Sequence, residues 1–149
     1  MFAATYAPAR TAPMLANAYR SVGAETGVSG ATPHKLIQML FDGYHEALAQ
    51  ARGALRERQF EAKGRAIGRA LRIIDEGLQG GLNMREGGKI AADLDNLYTY
   101  VSLRLAQANA RNDEESLLEC AALIEPISSA WSQIAPNAFA ASPLKLVNA

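Results

Sequence analysis

The sequence predicts an all-α protein: an antiparallel four-helix bundle preceded by an N-terminal arm that carries a short extra helix. Three observations carry that prediction. Apolar residues recur at i, i+3 and i+4 spacing through four long stretches between Thr32 and Ile134. Turn or capping residues separate those stretches, and the connections are short enough to make neighbours antiparallel. No run alternates apolar and polar residues in the way a half-buried strand does. With 149 residues the chain is expected to form a single domain, divided into an arm at 1–31, the bundle at 32–135 and a tail at 136–149.

In the arm, Pro8, Pro13, Gly23, Gly27 and Gly30 interrupt the chain, and only Met14, Leu15, Ala18, Tyr19 and Val22 repeat at helical spacing. About two turns of helix are unstable alone in water, so an ordered arm must be docked on something. The first long helix opens with Thr32 as N-cap and Pro33 at the first helical position, where a missing N–H costs nothing. Its apolar stripe runs from Leu36 and Ile37 through Leu40, Phe41, Tyr44 and Leu48 to Leu55, and it fades near Arg58. A second stripe, Phe60, Ile67, Leu71, Ile74 and Leu78, ends at Gly80-Gly81. A loop is expected over Leu82–Gly88, then a third helix from Lys89 to Ala110 with Ile90, Leu94, Leu97, Tyr98, Val101 and Leu105 in register. Asn112 or Asp113 caps the fourth helix, Asn112 and Glu115 having capping-box spacing. That helix presents Leu117, Ala121, Ile124, Ile127, Trp131 and Ile134, with Pro126 expected to bend it.

Composition narrows the function. Hydrophobic residues make up 49% and charged residues 20%, as in a folded globular protein. Residues 1–74 hold 10 Lys/Arg and 5 Asp/Glu and residues 75–149 hold 5 and 10, so halves of +5 and −5 cancel to a net charge of +0. Helices from the two halves are therefore expected to complement each other's fields, and nucleic-acid binding is not expected. The single cysteine excludes an intramolecular disulfide. No apolar run approaches the roughly 18 residues of a membrane span, and Met1–Arg20 lacks the pattern of a secretory leader. A cytoplasmic location is the expectation.

Enzymatic chemistry finds no support in the residue pattern. His34 and His45 lie about three helical turns apart, some 16 Å, too far to share an ion. No Glu-x-x-His pair is present to build a di-metal bundle. Cys120 falls near the core stripe and reads as a small buried hydrophobe. Gly80-Gly81 and Gly87-Gly88 follow no strand and precede no Gly-Lys-Ser/Thr, so they form no phosphate loop. Gly64 and Gly68 are spaced to let two helices approach closely. No metal and no cofactor are expected.

Binding is the better class, because two helices carry apolar residues off their core stripes. Tyr100 and Leu103 leave the arc of the third helix and lie near Ala92, Ala106 and Ala110. Ile73 leaves the stripe of the second helix and joins Ala62, Ala66 and Gly77. Such second faces are expected to line a groove for another chain, the alternative being contact with the protein's own arm or tail.

Against that background, the stretch Ala31-Thr32-Pro33-His34-Lys35-Leu36-Ile37-Gln38-Met39-Leu40-Phe41-Asp42-Gly43 resembles the opening helix of the FliS family, the flagellar secretion chaperones that escort flagellin. Gly87-Gly88-Lys89-Ile90-Ala91, continuing through Leu94, Leu97-Tyr98, Tyr100, Arg104-Leu105 and Ala108-Asn109, resembles the same family, as do Ala130-Trp131 and the lone Tyr19. The likeness spans residues 19–134. Phe41 stands where the family usually has tyrosine. Tyr44 stands where it often has alanine, and its bulk is expected to reshape whatever surface it lines. The resemblance implies a cytoplasmic export chaperone, an antiparallel bundle needing no nucleotide. It would bind the disordered C-terminal region of flagellin, keep it from polymerising and help deliver it to a component of the export gate. It also implies an N-terminal segment that can cover part of the binding surface and move aside. The residues expected to meet the client are Leu15 and Tyr19 in the arm, Ile73, Tyr100 and Leu103 on the second faces, and Leu97, Tyr98, Arg104 and Asn109 from the resembling block. Leu36 and Leu40 are expected in the core. The alternative is a structural or regulatory bundle that forms a homodimer through the same surface.

Overall fold

The computed structural model describes residues 5–6 and 32–134. Leu15, Tyr19 and the tail lie outside the described residues. Four helices follow in order: α1 (Pro33–Arg56), α2 (Phe60–Arg72, continued by a π-helical segment over Ile73–Gln79), α3 (Met84–Arg111) and α4 (Glu114–Ser132). They close a ring in which α1 and α3 each pack against both α2 and α4. The bundle is all-α, and among the described residues there is no strand.

The capping residues set the boundaries. The Thr32 hydroxyl accepts the Lys35 N–H at 3.1 Å, and Pro33 takes the first helical position. The expected loop at Leu82–Gly88 is partly helical instead. Asn83 accepts the Glu86 N–H at 3.1 Å and starts α3, which Gly88 then interrupts with a left-handed backbone (φ 55°) open to a residue without Cβ. The capping-box expectation is also corrected. Asn112 closes α3 in the left-handed conformation (φ 53°), and Asp113 caps α4, its carboxylate accepting the Glu115 N–H at 3.0 Å and the Ser116 hydroxyl at 2.9 Å.

The core joins the inner stripes of all four helices, from Leu36, Ile37, Leu40 and Phe41 to Leu117, Ile124 and Trp131. Tyr44 lies on the core stripe, as its spacing predicts, and its bulk reshapes no surface. It is fully buried and its hydroxyl donates to the Cys120 carbonyl at 2.9 Å. Cys120 is buried as expected, and burial pushes its thiol up to about 12. His34 is likewise enclosed. Its ring stacks on Trp131 at 5.2 Å, and its Nε2 lies 3.1 Å from the Trp131 carbonyl. A carbonyl only accepts, so Nε2 carries the hydrogen. The indole N–H returns a bond to the His34 carbonyl at 3.1 Å.

The α1–α2 contact explains the main departure from expectation. Ile73 is completely buried. A Cβ added to Gly43 would lie 3.3 Å from the Ile73 Cδ1, and one added to Gly77 would lie 2.8 Å from a Leu40 methyl. Each helix thus offers a glycine notch to a large side chain of the other. The stripe Ala66, Ile73 and Gly77 is the α1-facing side of α2, not a free second face. The close approach expected at Gly64 and Gly68 falls at Gly43 and Gly77 instead, since a Cβ on Gly68 would meet nothing within 4 Å. Phe60 and Ile90, read as core, are 46% and 36% exposed. Phe60 opens α2 at the bundle's edge, with the Lys63 ammonium 5.9 Å over its ring, and Ile90 follows the Gly88 interruption, where the helical phase restarts.

Among the described residues, one carboxylate of the acidic half pairs with two arginines of the basic half. Glu114 at the start of α4 pairs with Arg52 at 3.2 Å and Arg56 at 2.7 Å, both on α1. These hydrogen bonds, the Arg56 one foremost, hold the Glu114 carboxyl below its usual value.

The Thr5-Tyr6 dipeptide completes the core where α2 turns into α3. Tyr6 is fully buried, its ring edge-on to Trp131 with centroids 5.7 Å apart. Its hydroxyl donates to the Leu78 carbonyl at 2.5 Å and lies 3.2 Å from the Tyr98 hydroxyl. With its one hydrogen committed to Leu78, Tyr6 accepts from Tyr98. The Thr5 carbonyl accepts the Asn83 N–H. The dipeptide therefore satisfies a carbonyl at the end of α2 and an amide at the start of α3, both groups a helix terminus leaves unpaired.

Candidate functional site

The outer side of α3 breaks the polar surface of the bundle. Tyr98, Val101 and Leu105 point inward and are fully buried, while Tyr100 is 43% and Leu103 56% exposed. About 100° of rotation per residue sets Tyr100 nearly opposite Tyr98. Tyr100 and Leu103 form an exposed crest along the helix.

On the α4 side the crest meets a polar clamp. The Tyr100 hydroxyl donates to Glu119 at 2.6 Å, and the Arg104 guanidinium binds Glu119 at 2.8 Å and the Ser116 hydroxyl at 2.9 Å. The Tyr100 and Arg104 hydrogen bonds hold the Glu119 carboxyl below the usual range against the opposing pull of desolvation. Farther along, the antiparallel register brings half-buried Leu97 of α3 level with Leu123 and Ile127 of α4, all three packed on the core. On the α2 side lies a cavity of about 310 Å³ bounded by Leu71, Arg72, Asp75 and Ser102. A larger cleft of about 670 Å³ lies between α1 and α2, but its lining, which includes Gly53, Ala54, Glu57, Ala62, Arg65 and Arg69, has no large apolar side chain. The apolar crest marks the better surface for a protein partner.

Of the residues expected to bind, Leu97, Tyr100, Leu103 and Arg104 come together on or beside this crest. Ile73 does not, being held in the α1 notch, and Tyr98 is sealed behind Tyr6. Asn109 sits at the far end of α3, where its carbonyl accepts the Lys63 ammonium at 2.9 Å. Sequence reasoning missed Glu119, Leu123 and Tyr6. The spacing Glu119, Leu123, Ile127 marks one flank of α4 and was the available signal for the first two. Among the described residues no cluster of three or more His, Cys, Asp or Glu is placed to hold a metal ion, and no helix is long and apolar enough to cross a membrane.

Residues 15–138 match the family model described as flagellar protein FliS. The chain is 47% identical over 121 residues to the flagellar secretion chaperone FliS of Salmonella typhimurium, covering 81% of this chain and 90% of that protein. It is 46% identical over 116 residues to the flagellar secretion chaperone FliSB of Pseudomonas aeruginosa, covering 78% and 91%. The Vibrio cholerae FliS is 40% identical over 120 residues, covering 80% of this chain and 88% of its own length. On sequence and fold together, this chain belongs to the FliS family.

Proposed function

We propose that this protein is a cytoplasmic export chaperone that binds the disordered C-terminal segment of flagellin along the outer side of α3, keeping it unpolymerised until it reaches the export gate. The role needs no catalysis. The observation that carries the reading is the exposure of Tyr100 and Leu103 on a helix whose inner face is already fully packed. A segment that assembles by pairing apolar helix faces is blocked when a chaperone offers an apolar surface for those faces, the helix-in-groove mode. Ordering such a segment costs several kcal/mol, so the contact must be extensive. The Leu97–Leu123 seam and the cavity beside Leu71 extend it on both flanks. The Glu119 clamp supplies polar atoms with which a client's backbone or side chains can exchange bonds.

The test is a calorimetric titration with a peptide spanning the flagellin C-terminal region, followed by circular dichroism of the mixture. Binding heat together with helicity beyond the sum of the parts is expected. Absence of both would count against this reading. A tight dimer in sedimentation that excludes the peptide would instead assign the face to self-association, since a two-fold interface reuses one patch.

A further inference from the structure

We propose that Arg104 and Glu119 are positioning residues, which hold the Tyr100 ring in one orientation toward α4 before a client arrives. This rests on the client reading above and names the residues that prepare that surface. The Tyr100 hydroxyl is the last link of a chain of hydrogen bonds that begins at the α4 cap. Asp113 takes the Ser116 hydroxyl hydrogen at 2.9 Å, and the Ser116 oxygen in turn accepts the Arg104 Nη2 at 2.9 Å. Ser116 is itself buried. The same guanidinium donates through Nη1 to Gln107 at 2.8 Å and through Nε to Glu119 at 2.9 Å. A planar fork with three separate partners is held in a single orientation. It fixes Glu119 in turn, whose second oxygen accepts the Tyr100 hydroxyl at 2.6 Å. Tyr100 and Arg104 stand about one turn apart on α3, so both reach the same carboxylate. The Arg104 and Glu119 side chains are only 26% and 37% exposed, which shelters them from the screening that leaves open surface pairs weak. An unpinned tyrosine, nearly half in solvent, would sample several rotamers, and ordering it on binding would cost affinity. The network removes that cost in advance. Among the described residues, one Nη1 hydrogen and one Oε2 lone pair stay unused, so a client backbone can bond to the clamp without dismantling it.

The experiment uses the full chain as wild type, Tyr100→Phe, Glu119→Ala and the double variant. Orientation is read from the three-bond Hα–Hβ couplings of the side chain at position 100. Affinity is read by calorimetric titration with a peptide from the flagellin C-terminal region. Positioning predicts the couplings of a single rotamer in the wild type and averaged couplings in each variant. It also predicts binding weakened about two- to tenfold in each single variant. Glu119→Ala adds nothing further once Tyr100→Phe is in place, because both act through one bond. An averaged wild type, or variants that keep a single rotamer, overturn the proposal. So does a Glu119→Ala loss that persists beside Tyr100→Phe, which would set Glu119 directly against the client. Unchanged affinity in both single variants would make the network a structural brace only and overturns it too, as does tighter binding by Glu119→Ala, the mark of a freed hydroxyl that meets the client itself. Should Glu119→Ala not fold, Tyr100→Phe removes the same bond and carries both readouts. If the wild type ignores the peptide, the client reading fails by itself, and the couplings alone then decide the positioning.

Discussion

The two sides of α3 use the same residue types for different ends. Inward, Tyr98 is enclosed and hydrogen-bonded to Tyr6; outward, Tyr100 has nearly half its surface free and binds Glu119 at the rim. Burial raises the Tyr98 phenol well above its ordinary value, while the shift at Tyr100 comes first from its bond to Glu119. Two tyrosines two residues apart are thus separated by function: one specifies the core, the other remains available. Stability and recognition on this helix should be separable by mutation.

The largest effect expected is on the inner side. Tyr98→Ala should cost about 3–5 kcal/mol, read by urea denaturation, because it opens a cavity and leaves the Tyr6 hydroxyl without its donor. A loss below about 1 kcal/mol would erase the distinction between the two sides. Next comes Leu103→Asp on the outer side. It should weaken peptide binding by about thirtyfold or more, from lost apolar burial and a charge that must be desolvated, with unfolding unchanged within about 0.5 kcal/mol. Collapse of the fold would place Leu103 in the core. Gly77→Ala should be intermediate, about 1–3 kcal/mol destabilising, since its Cβ would meet the enclosed Leu40 side chain at 2.8 Å. Gly68→Ala, which meets nothing within 4 Å, should instead stabilise by about 0.5–1 kcal/mol. The smallest effect is that of pH. Hydrogen bonds lower the carboxyls of Glu119, from Tyr100 first, and Asp113, from Ser116 first. Depressed carboxyls contribute fully above their ordinary values near 4 and lose that contribution as pH falls through the folded ones. Stability should therefore decline below about pH 4, and Glu119→Gln should flatten part of that decline in acid titrations.

The outer crest could be read from the sequence because α3 after Gly88 winds regularly, so the departure of Tyr100 and Leu103 from the stripe survives into three dimensions. The same reasoning failed for Ile73. Periodicity tells which side of α2 a residue occupies but not that Gly43 on another helix waits there to receive it. Tyr6 was invisible for a related reason. Two residues have no period, and their partners lie 72 and 92 positions away. Thr32, Pro33 and Asp113 announced their helices through local hydrogen bonding, whereas Asn112 was misassigned because a left-handed C-cap and an N-cap favour the same side chain.

The π-helical segment at Ile73–Gln79 has one more consequence. Its Gly80 N–H reaches back five residues to the Asp75 carbonyl, so each turn holds more chain than an α-turn does. Deleting a single residue there would let the backbone wind at ordinary pitch and deliver Leu78 and Asn83 about 100° out of phase with the dipeptide they receive. A shortened chain of this kind should fold with Trp131 exposed to solvent and its fluorescence shifted accordingly. At this one place the residue count is as constrained as residue identity, in contrast to surface connections, where length is thermodynamically forgiving.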